Sequence, residues 1–371
     1  MRACTAALLL AIAMFSGCTS TPSSTVAAPT TRSYHGTASV GDFMTITINS
    51  DLRTIAYTDL SNGQSGTVPY TSNSDGLYTL NDPTGNLIAA YEVPNYAVVI
   101  QAAKTGPSAN APALVTAVES GPISLATFEG QAYNYMQFRT AAGGVDVGSV
   151  SVNSQGSGST SSYWPYGALN QENGSSPFNA STLDISSAIL DPSGTFLELS
   201  DPGNSNTFDY VFGTANGIFA VDTPNGAILG LKKAASKVFD PSFAGTYHAA
   251  FYQKDNASTG NGNVETGTPS LGSATITVTA GAALTMADLQ GAQILQATLT
   301  PVADADYLYG SPGELQDPCN GVFTFRLITA SVQQDVFVTF MGQAMLFSSF
   351  SASLPWASGG AYNYFYGVGL K

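Results

Sequence analysis

Short runs in which polar and apolar residues alternate constrain the fold of this chain more than any other feature. Such runs, rich in Thr, Ile, Val and aromatic residues, occur at Phe43–Ile48, Ala274–Thr279 and Val322–Leu327. Every second side chain of a strand faces the same side, so this pattern predicts half-buried strands. Helical periodicity is scarce, and helical turns are predicted only near Ala111–Val118 and Thr285–Gln293. The chain is therefore predicted to be all-β.

Turn signals of one kind separate these runs. The order Asp, Pro and then Gly recurs at Asp82–Gly85, Asp191–Gly194, Asp201–Gly203 and Asp317–Gly321. Asp accepts hydrogen bonds from the following backbone, Pro presets φ, and Gly tolerates a positive φ at the exit. The pattern predicts turns between short antiparallel strands. It does not indicate calcium sites, which need six to eight converging oxygens.

Two internal echoes divide the chain. Residues 70–89 and 210–230 both describe an alternating strand, a Pro-Gly turn and an apolar return strand, which is the pattern of a hairpin. A Phe-x-Gly step shortly before a tyrosine also recurs, at Phe128–Tyr133 and at Phe243–Tyr247. Together the echoes predict boundaries near residues 125 and 240, with joints at Thr105–Ser124 and Asp240–Ser242.

Two architectures fit these units. The first is two or three antiparallel β-barrel or sandwich-like units, covering residues 34–124, 125–239 and 240–371. The alternative is a single β-propeller, and Leu190–Ser200 resembles a blade strand of bacterial lactonase-like propellers. Because that resemblance does not recur at a blade period of about 40–45 residues, separate β units are preferred.

The charge balance excludes one class of partner. The chain has 371 residues and a formal net charge of −14, with 11 Lys and Arg residues. Between Lys104 and Lys232 the single basic residue is Arg139, and none lies between Lys254 and Arg326. Such a surface repels a phosphate backbone, so nucleic acid is not expected as a partner.

The first residues are typical of an export signal. A short basic start and the apolar run of residues 6–15 are too short to span a bilayer, and they end in Phe15-Ser16-Gly17-Cys18. This ending resembles the lipobox of bacterial lipoproteins, with Phe15 where the family usually has Leu. The resemblance implies a signal peptide of residues 1–17 and diacylglycerol, with further acyl chains such as palmitate, on Cys18.

Residues 18–33 indicate where the mature chain is located and how it is attached. This Ser/Thr/Pro-rich stretch is expected to be a flexible tether, since it cannot bury enough surface to order itself. In lipoproteins of this kind, Thr19 after the cysteine implies the outer membrane or cell surface. The expected partner is thus the membrane itself, through the lipid anchor. With Cys4 in the signal and Cys18 acylated, Cys319 stands alone and no disulfide is predicted.

Motifs for enzyme chemistry are scarce. The two histidines, His35 and His248, each follow a tyrosine in a predicted strand, which favours structural or solvent-facing roles. There is no Gly-x-Ser-x-Gly elbow, no His-Glu-x-x-His motif and no cysteine pair, so neither a catalytic triad nor a metal or other cofactor is predicted. The remaining possibility is a carbohydrate-active hydrolase with two facing carboxylates, for which the candidates are Glu129, Glu198, Glu265 and Glu314.

Aromatic clusters offer candidates for binding. Alternation places Tyr133 and Tyr135 on one face of a strand, an arrangement that more often packs a sheet than binds a ligand. The second cluster, Tyr163, Trp164 and Tyr166, lies in the long Ser/Gly/Asn-rich loop of residues 154–181. Exposed aromatic rings on a loop suit sugar rings or a partner protein, so these three are the predicted ligand contacts.

The sequence thus predicts an exported, lipid-anchored envelope protein that acts as a binding or structural module. A glycan or another envelope protein is the expected ligand, and the hydrolase with paired carboxylates is the alternative. A purely structural role predicts no deep pocket.

Overall fold

A computed structural model describes residues 30–72, 76–81, 87–103, 112–139, 144–153, 178–201, 204–214, 217–224, 226–257, 270–302, 308–309, 320–328, 333–350 and 361–371. Strands dominate these residues and are organised in three sheets. No helix in these ranges is long and apolar enough to cross a bilayer. The predicted all-β class is confirmed.

The first sheet is a closed barrel of eight antiparallel strands, in which each strand pairs with the next and β1 pairs with β8. Its strands are β1 (Thr31–Ala38), β2 (Phe43–Asn49), β3 (Thr54–Asp59), β4 (Ser65–Ser72), β5 (Leu77–Asn81), β6 (Leu87–Val93), β7 (Ala97–Ala103) and β8 (Pro112–Glu119). An eight-stranded barrel is just wide enough for side chains to fill. Alternate positions such as Ile46, Ile48, Ala90 and Val98 supply that interior.

The second sheet, called sheet 2, follows the short helix α1 (Leu125–Phe128). Its strands are β9 (Ala132–Arg139), β10 (Gly144–Asn153), β11 (Phe178–Asp184), β12 (Ile189–Leu190), β13 (Leu197–Asp201), β14 (Asn204–Gly213), β15 (Ile218–Thr223) and β16 (Gly226–Lys232). The pairs are antiparallel except that β11 runs parallel to β10 and to β22 (Leu308–Tyr309), a strand from much later in the chain.

The third sheet, called sheet 3, follows a 3-10 turn at Pro241–Phe243. Its strands are β17 (Gly245–Ala257), β18 (Ser270–Val278), β19 (Ala283–Ala287), β20 (Gln293–Thr298), β21 (Thr300–Pro301), β23 (Val322–Ile328), β24 (Gln333–Met341), β25 (Ala344–Phe350) and β26 (Ala361–Leu370). Strands from its two wings share one core, as Ile276 of β18 and Phe323 of β23 do. The sheet therefore curls until its outer strands face each other, as sheet 2 also does around Val150 and Leu197.

A further core lies between the three sheets and is called the central core here. It receives the opposite faces of many of the same strands: Phe43, Tyr91, Val99, Leu114 and Val118 from the barrel, Met136, Phe138, Phe212, Leu229 and Leu231 from sheet 2, and Tyr252, Phe337, Leu346, Tyr366 and Val368 from sheet 3. The strands that line it are buried on both faces, which is why they read as continuous apolar runs. Each sheet thus has a core of its own and a share in a common one.

The first strands of the three sheets share one arrangement of two consecutive side chains. A tyrosine faces the sheet's own core, and the polar residue after it contacts the neighbouring sheet. The three pairs are Tyr34-His35, Tyr133-Asn134 and Tyr247-His248. His35 hydrogen-bonds Thr195 of sheet 2 through Nε2 at 2.7 Å, Asn134 donates to the Asn320 carbonyl of sheet 3 at 2.8 Å, and His248 stacks on Tyr91 of the barrel at 5.4 Å. The sheets therefore contact one another in a ring.

Several sequence predictions are confirmed. Both echoed hairpins form, as β5 with β6 and as β15 with β16. The Asp191–Gly194 signal is a turn, since the Asp191 carboxylate accepts from Ser193 N at 2.7 Å and Gly194 has a φ of +72°. Tyr133 and Tyr135 both face the core of sheet 2, so they are packing residues as the more common case predicts.

Other predictions are wrong. The helical turn predicted near Ala111–Val118 is not found in the described residues 112–118, because residues 112–119 form β8, which closes the barrel and is buried on both faces. Thr285–Gln293 contains the end of β19 and a turn. The tether cannot extend to Ser33, since β1 begins at Thr31. A single propeller is excluded by sheets of eight and nine strands, which are not four-stranded blades.

The predicted boundaries near 125 and 240 fall between β8 and β9 and between β16 and β17. That each unit is a separate domain stays a prediction.

Candidate functional site

A buried ion pair lies inside one end of the barrel. Alternation along β1 turns Arg32 and Tyr34 inward, and Glu92 of β6 shares the inward face with Ala90. Arg32 Nε lies 2.6 Å from Glu92 Oε1 and Nη2 lies 2.7 Å from Oε2, while Nη1 donates to Ser50 Oγ at 2.8 Å. This is the two-pronged geometry in which a guanidinium and a carboxylate bind most strongly.

Two phenol groups complete the coordination of the carboxylate. The Tyr34 hydroxyl donates to Glu92 Oε1 at 2.5 Å, and the Tyr78 hydroxyl donates to Oε2. Burial first, and then the negative charge of Glu92, raise the pKa of Tyr34; burial, the hydrogen bond and that charge raise the pKa of Tyr78. Both remain neutral donors at ordinary pH. Glu92 therefore accepts four hydrogen bonds, two at each carboxylate oxygen, and these fix the orientation of its side chain.

An open cleft of about 650 Å³ lies over this pair. Its floor is formed by Arg32, Glu92, Tyr70 and Tyr78, and the last two rings lie 4.3 Å apart. Its rim consists of Ser50, Arg53, Ser72, Gly76, Val93, Pro94 and Lys371. The volume falls within the range of about 300–1,000 Å³ that is usual for small-molecule sites.

The turn between β2 and β3 fixes one side of the rim. The Asn49 side chain accepts from Asp51 N at 3.0 Å and from Leu52 N at 2.9 Å. Arg53 has a φ of +52°, and its carbonyl accepts from Tyr70 N at 2.9 Å. The backbone thereby fixes Arg53 at the cleft, and Leu52 beside it is 72% exposed.

Sheet 3 supplies the other side of the rim. Lys371 follows β26, and its ammonium donates to the carbonyls of Ser242 at 2.7 Å and Ala244 at 3.1 Å. It also lies 5.3 Å from the centre of the Tyr247 ring. Burial lowers the pKa of Lys371, and Asp240 opposes that effect. The cleft is therefore lined by both the barrel and sheet 3.

Most of the residues that the sequence predicted for a site are not in the part of the chain that the structure describes. Cys18, Tyr163, Trp164, Tyr166 and Cys319 lie outside the described residues, as do Glu265 and Glu314. Glu129 and Glu198 belong to the region of sheet 2 and do not line the cleft.

His35 has the structural role that was predicted for it. It is buried between Phe43, Phe196 and Phe212, and its Nδ1 has no hydrogen-bond partner among the described residues. Burial lowers its pKa to about 4, against a smaller raising effect of Asp191. A neutral imidazole suits this dry environment. In the part of the chain that the structure describes, no three His, Cys, Asp or Glu side chains form a metal-binding group.

Sequence reasoning missed the cleft because its residues gave separate, weak signals. Arg32 was assigned to the tether, although it directly precedes the alternating residues of β1. Glu92 is a charged residue in the apolar run of β6, and a carboxylate at an inward strand position is the signal that could have found the site.

Comparisons with known proteins give little further information. No protein-family model matches the sequence, and no curated protein matches it. Among solved structures, a double mutant of transferrin-binding protein B from Haemophilus parasuis is 8% identical over 92% of this chain and 77% of that chain, with a TM-score of 0.29. A single mutant of the same protein is 9% identical over 90% and 66%, also with a TM-score of 0.29. Intact Ap-TbpB, with its N and C lobes, is 7% identical over 89% and 66%, with a TM-score of 0.27. These scores are too low to transfer a function.

Proposed function

We propose that this protein is an exported, lipid-anchored binding module of the cell envelope, and that the cleft over Arg32 and Glu92 holds its ligand. The observation that carries the proposal is a buried, fully hydrogen-bonded polar network directly beneath an open cleft. Such a network is held in place before a ligand enters, so the floor of the cleft needs little reorganisation on binding.

Stability alone does not account for this network. Two buried charges lose their hydration, and well-packed apolar residues in their place are often equally or more stabilising. Sheet 3 provides the comparison within the molecule. There the corresponding Tyr247 hydroxyl donates to the main-chain carbonyl of Phe243 at 2.7 Å, and the surrounding core residues are apolar. An inward tyrosine at this position therefore needs no ion pair.

The same geometry disfavours the alternatives. A hydrolase needs two facing carboxylates, and among the described residues that line the cleft Glu92 is the one carboxylate, with its oxygens already engaged. A purely structural lipoprotein would need no cleft. Binding is therefore the favoured function.

The cleft is tested by blocking it. Ser72 is exposed at the cleft end of β4, and Ser65 is exposed at the other end of the same strand. Wild type, Ser72→Trp and Ser65→Trp are compared on a panel of glycans and envelope proteins. We expect Ser72→Trp to lose a ligand that the other two bind. The proposal is wrong if Ser72→Trp binds the panel as the wild type does, or if no panel member binds.

The anchor is proposed on the lipobox resemblance of residues 15–18. It is tested by labelling cells with radioactive palmitate. Cys18→Ala should lose the label and leave the membrane fraction, whereas Cys4→Ala, which changes a residue of the signal, should retain both. Equal labelling of the Cys18→Ala protein would overturn the anchor.

The aromatic loop is a second proposed contact. Tyr163, Trp164 and Tyr166 are proposed to contribute rings to the bound ligand. Replacing Trp164 and Tyr166 by Ala should weaken binding of the panel ligand, and unchanged binding would remove the loop from the proposal.

A further inference from the structure

The charges at the cleft indicate which ligand it takes. Its lining contains three cationic side chains, Arg32, Arg53 and Lys371, and one carboxylate, Glu92. The whole chain has 11 Lys and Arg residues against 25 Asp and Glu residues. A small site with more cations than carboxylates is therefore opposite in sign to the protein that carries it.

Arg32 and Glu92 neutralise each other. Both oxygens of Glu92 accept hydrogen bonds from the guanidinium and from a phenol, so the hydrogen bonds of this carboxylate are made within the floor of the cleft. The negative charge of Glu92 is paired with Arg32 in the floor of the cleft, and it is not paired with the cations of the rim.

Arg53 and Lys371 are the two rim cations. Arg53 is exposed, and its guanidinium forms no ion pair with another described residue. Lys371 is held by two neutral carbonyls, which orient the ammonium, and its charged neighbour is Asp240. The nearby carboxylates of Asp51, Glu119 and Asp240 do not line the cleft. Counting side chains, the lining carries a surplus of two positive charges.

We infer that the ligand of this cleft is a small anion-bearing molecule of about disaccharide size, whose carboxylate or phosphate group lies between Arg53 and Lys371. The inference rests on the proposed function and names the chemical class of the ligand. Guanidinium groups bind carboxylate and phosphate in matched planar geometry, and an ammonium adds a point charge. Ser72 offers a hydroxyl to the polar part of such a ligand, and Val93 and Pro94 offer apolar contact.

Other ligands fit less well. A neutral sugar would leave the two rim cations without a counter-ion, and a cationic ligand would be repelled by them. A long polyanion would meet the negative surface of the rest of the chain, since the net charge is −14. A small anion is attracted to the cleft and is not required to cover the surface around it.

The test uses three disaccharides that differ in charge. The full-length protein is titrated by calorimetry with digalacturonate for carboxylate, trehalose 6-phosphate for phosphate and trehalose as the neutral probe. We expect saturable binding of at least one acidic probe, weaker at about 300 mM than at about 50 mM NaCl because salt screens the rim charges. Which of the two binds identifies the anionic group.

Charge-removing variants locate the effect. Arg53→Gln combined with Lys371→Gln should weaken binding of the acidic probe by about tenfold or more, whereas Lys232→Gln, an exposed lysine outside the cleft, should leave it unchanged. Arg53→Lys and Lys371→Arg, which keep both charges, should retain most of the affinity. A thermal melt of each variant confirms that it is folded.

The outcomes distinguish the inference of an anionic ligand from the proposed function, which is ligand binding in the cleft. If trehalose binds as tightly as the acidic probes and Ser72→Trp abolishes that binding, the cleft is a binding site and the anionic ligand is wrong. If neither acidic probe binds, or if removing both rim charges changes nothing, the inference is overturned. If Ser72→Trp also leaves the panel ligand bound, the proposed function fails as well.

Discussion

The dipeptide Tyr-His occurs twice, on β1 and on β17, and its two environments differ. In both strands the tyrosine faces inward and the histidine faces a neighbouring sheet. On β1 the Tyr34 hydroxyl binds the Glu92 carboxylate, and His35 is buried with a lowered pKa. On β17 the Tyr247 hydroxyl binds a main-chain carbonyl, and His248 stacks on Tyr91 while partly exposed. An inward tyrosine is therefore common to both strands, whereas the charged network is found, among the described residues, in the barrel.

The largest expected effect comes from removing half of the ion pair. Glu92→Ala leaves the Arg32 guanidinium buried without its counter-ion, which should lower the free energy of unfolding by about 3–5 kcal/mol. Urea denaturation measures the change. The control is the double variant Arg32→Met with Glu92→Leu, which removes both charges and should restore most of the loss. A Glu92→Ala protein as stable as the wild type would show that the network is not desolvated.

The second-largest effect is the contribution of His35 to the pH dependence of the free energy of unfolding. The folded pKa of about 4 lies below the ordinary value of 6.5, so the folded protein binds fewer protons than the unfolded chain between these values. This contribution to stability is complete above pH 6.5 and is lost as the pH falls towards 4, in total on the order of 3 kcal/mol. His35→Leu should flatten that part of the curve of unfolding free energy against pH. An unchanged curve in His35→Leu would assign the acid sensitivity to other groups.

The two tyrosines can be compared directly. Tyr34→Phe removes a hydrogen bond to a charged group and should cost about 1.5–3 kcal/mol, whereas Tyr247→Phe removes one to a neutral carbonyl and should cost about 0.5–1.5 kcal/mol. Both are measured by urea denaturation. Equal losses would mean that the two positions do not differ as the structure indicates.

The smallest effect is the contact between the Tyr91 and His248 rings. Their centroids lie 5.4 Å apart and the planes are 8° from parallel. A double-mutant cycle with Tyr91→Leu and His248→Leu should give a coupling of about 0.5–1.5 kcal/mol. The same cycle on Tyr91 and His35, which are not in ring contact, should give a coupling near zero.

Whether a strand could be predicted from the sequence depended on whether one or both of its faces are buried. Strands with one buried face, such as β2 and β18, alternate and were recognised. β8 is buried on both faces, by the barrel interior and the central core, so its residues read as a continuous apolar run that periodicity cannot distinguish from a helix. The two echoed hairpins were found because their turns are local in sequence.

The cleft could not be predicted in the same way. Arg32, Ser50, Tyr78 and Glu92 come from four different strands or turns, and Lys371 comes from another sheet. Only the closure of the barrel and its contact with sheet 3 bring these residues together. What the sequence offered was one charged residue in an apolar strand.

The central core has a consequence for how such a chain could be divided. Phe138 stacks on Tyr366 at 4.1 Å across the boundary between sheets 2 and 3, and comparable apolar contacts link all three. A sheet expressed alone would expose to water the apolar face that lines the central core, and this face would favour self-association. We therefore expect that the barrel with its cleft does not stay folded and monomeric when it is expressed alone, and that the described sheets melt in a single shared transition.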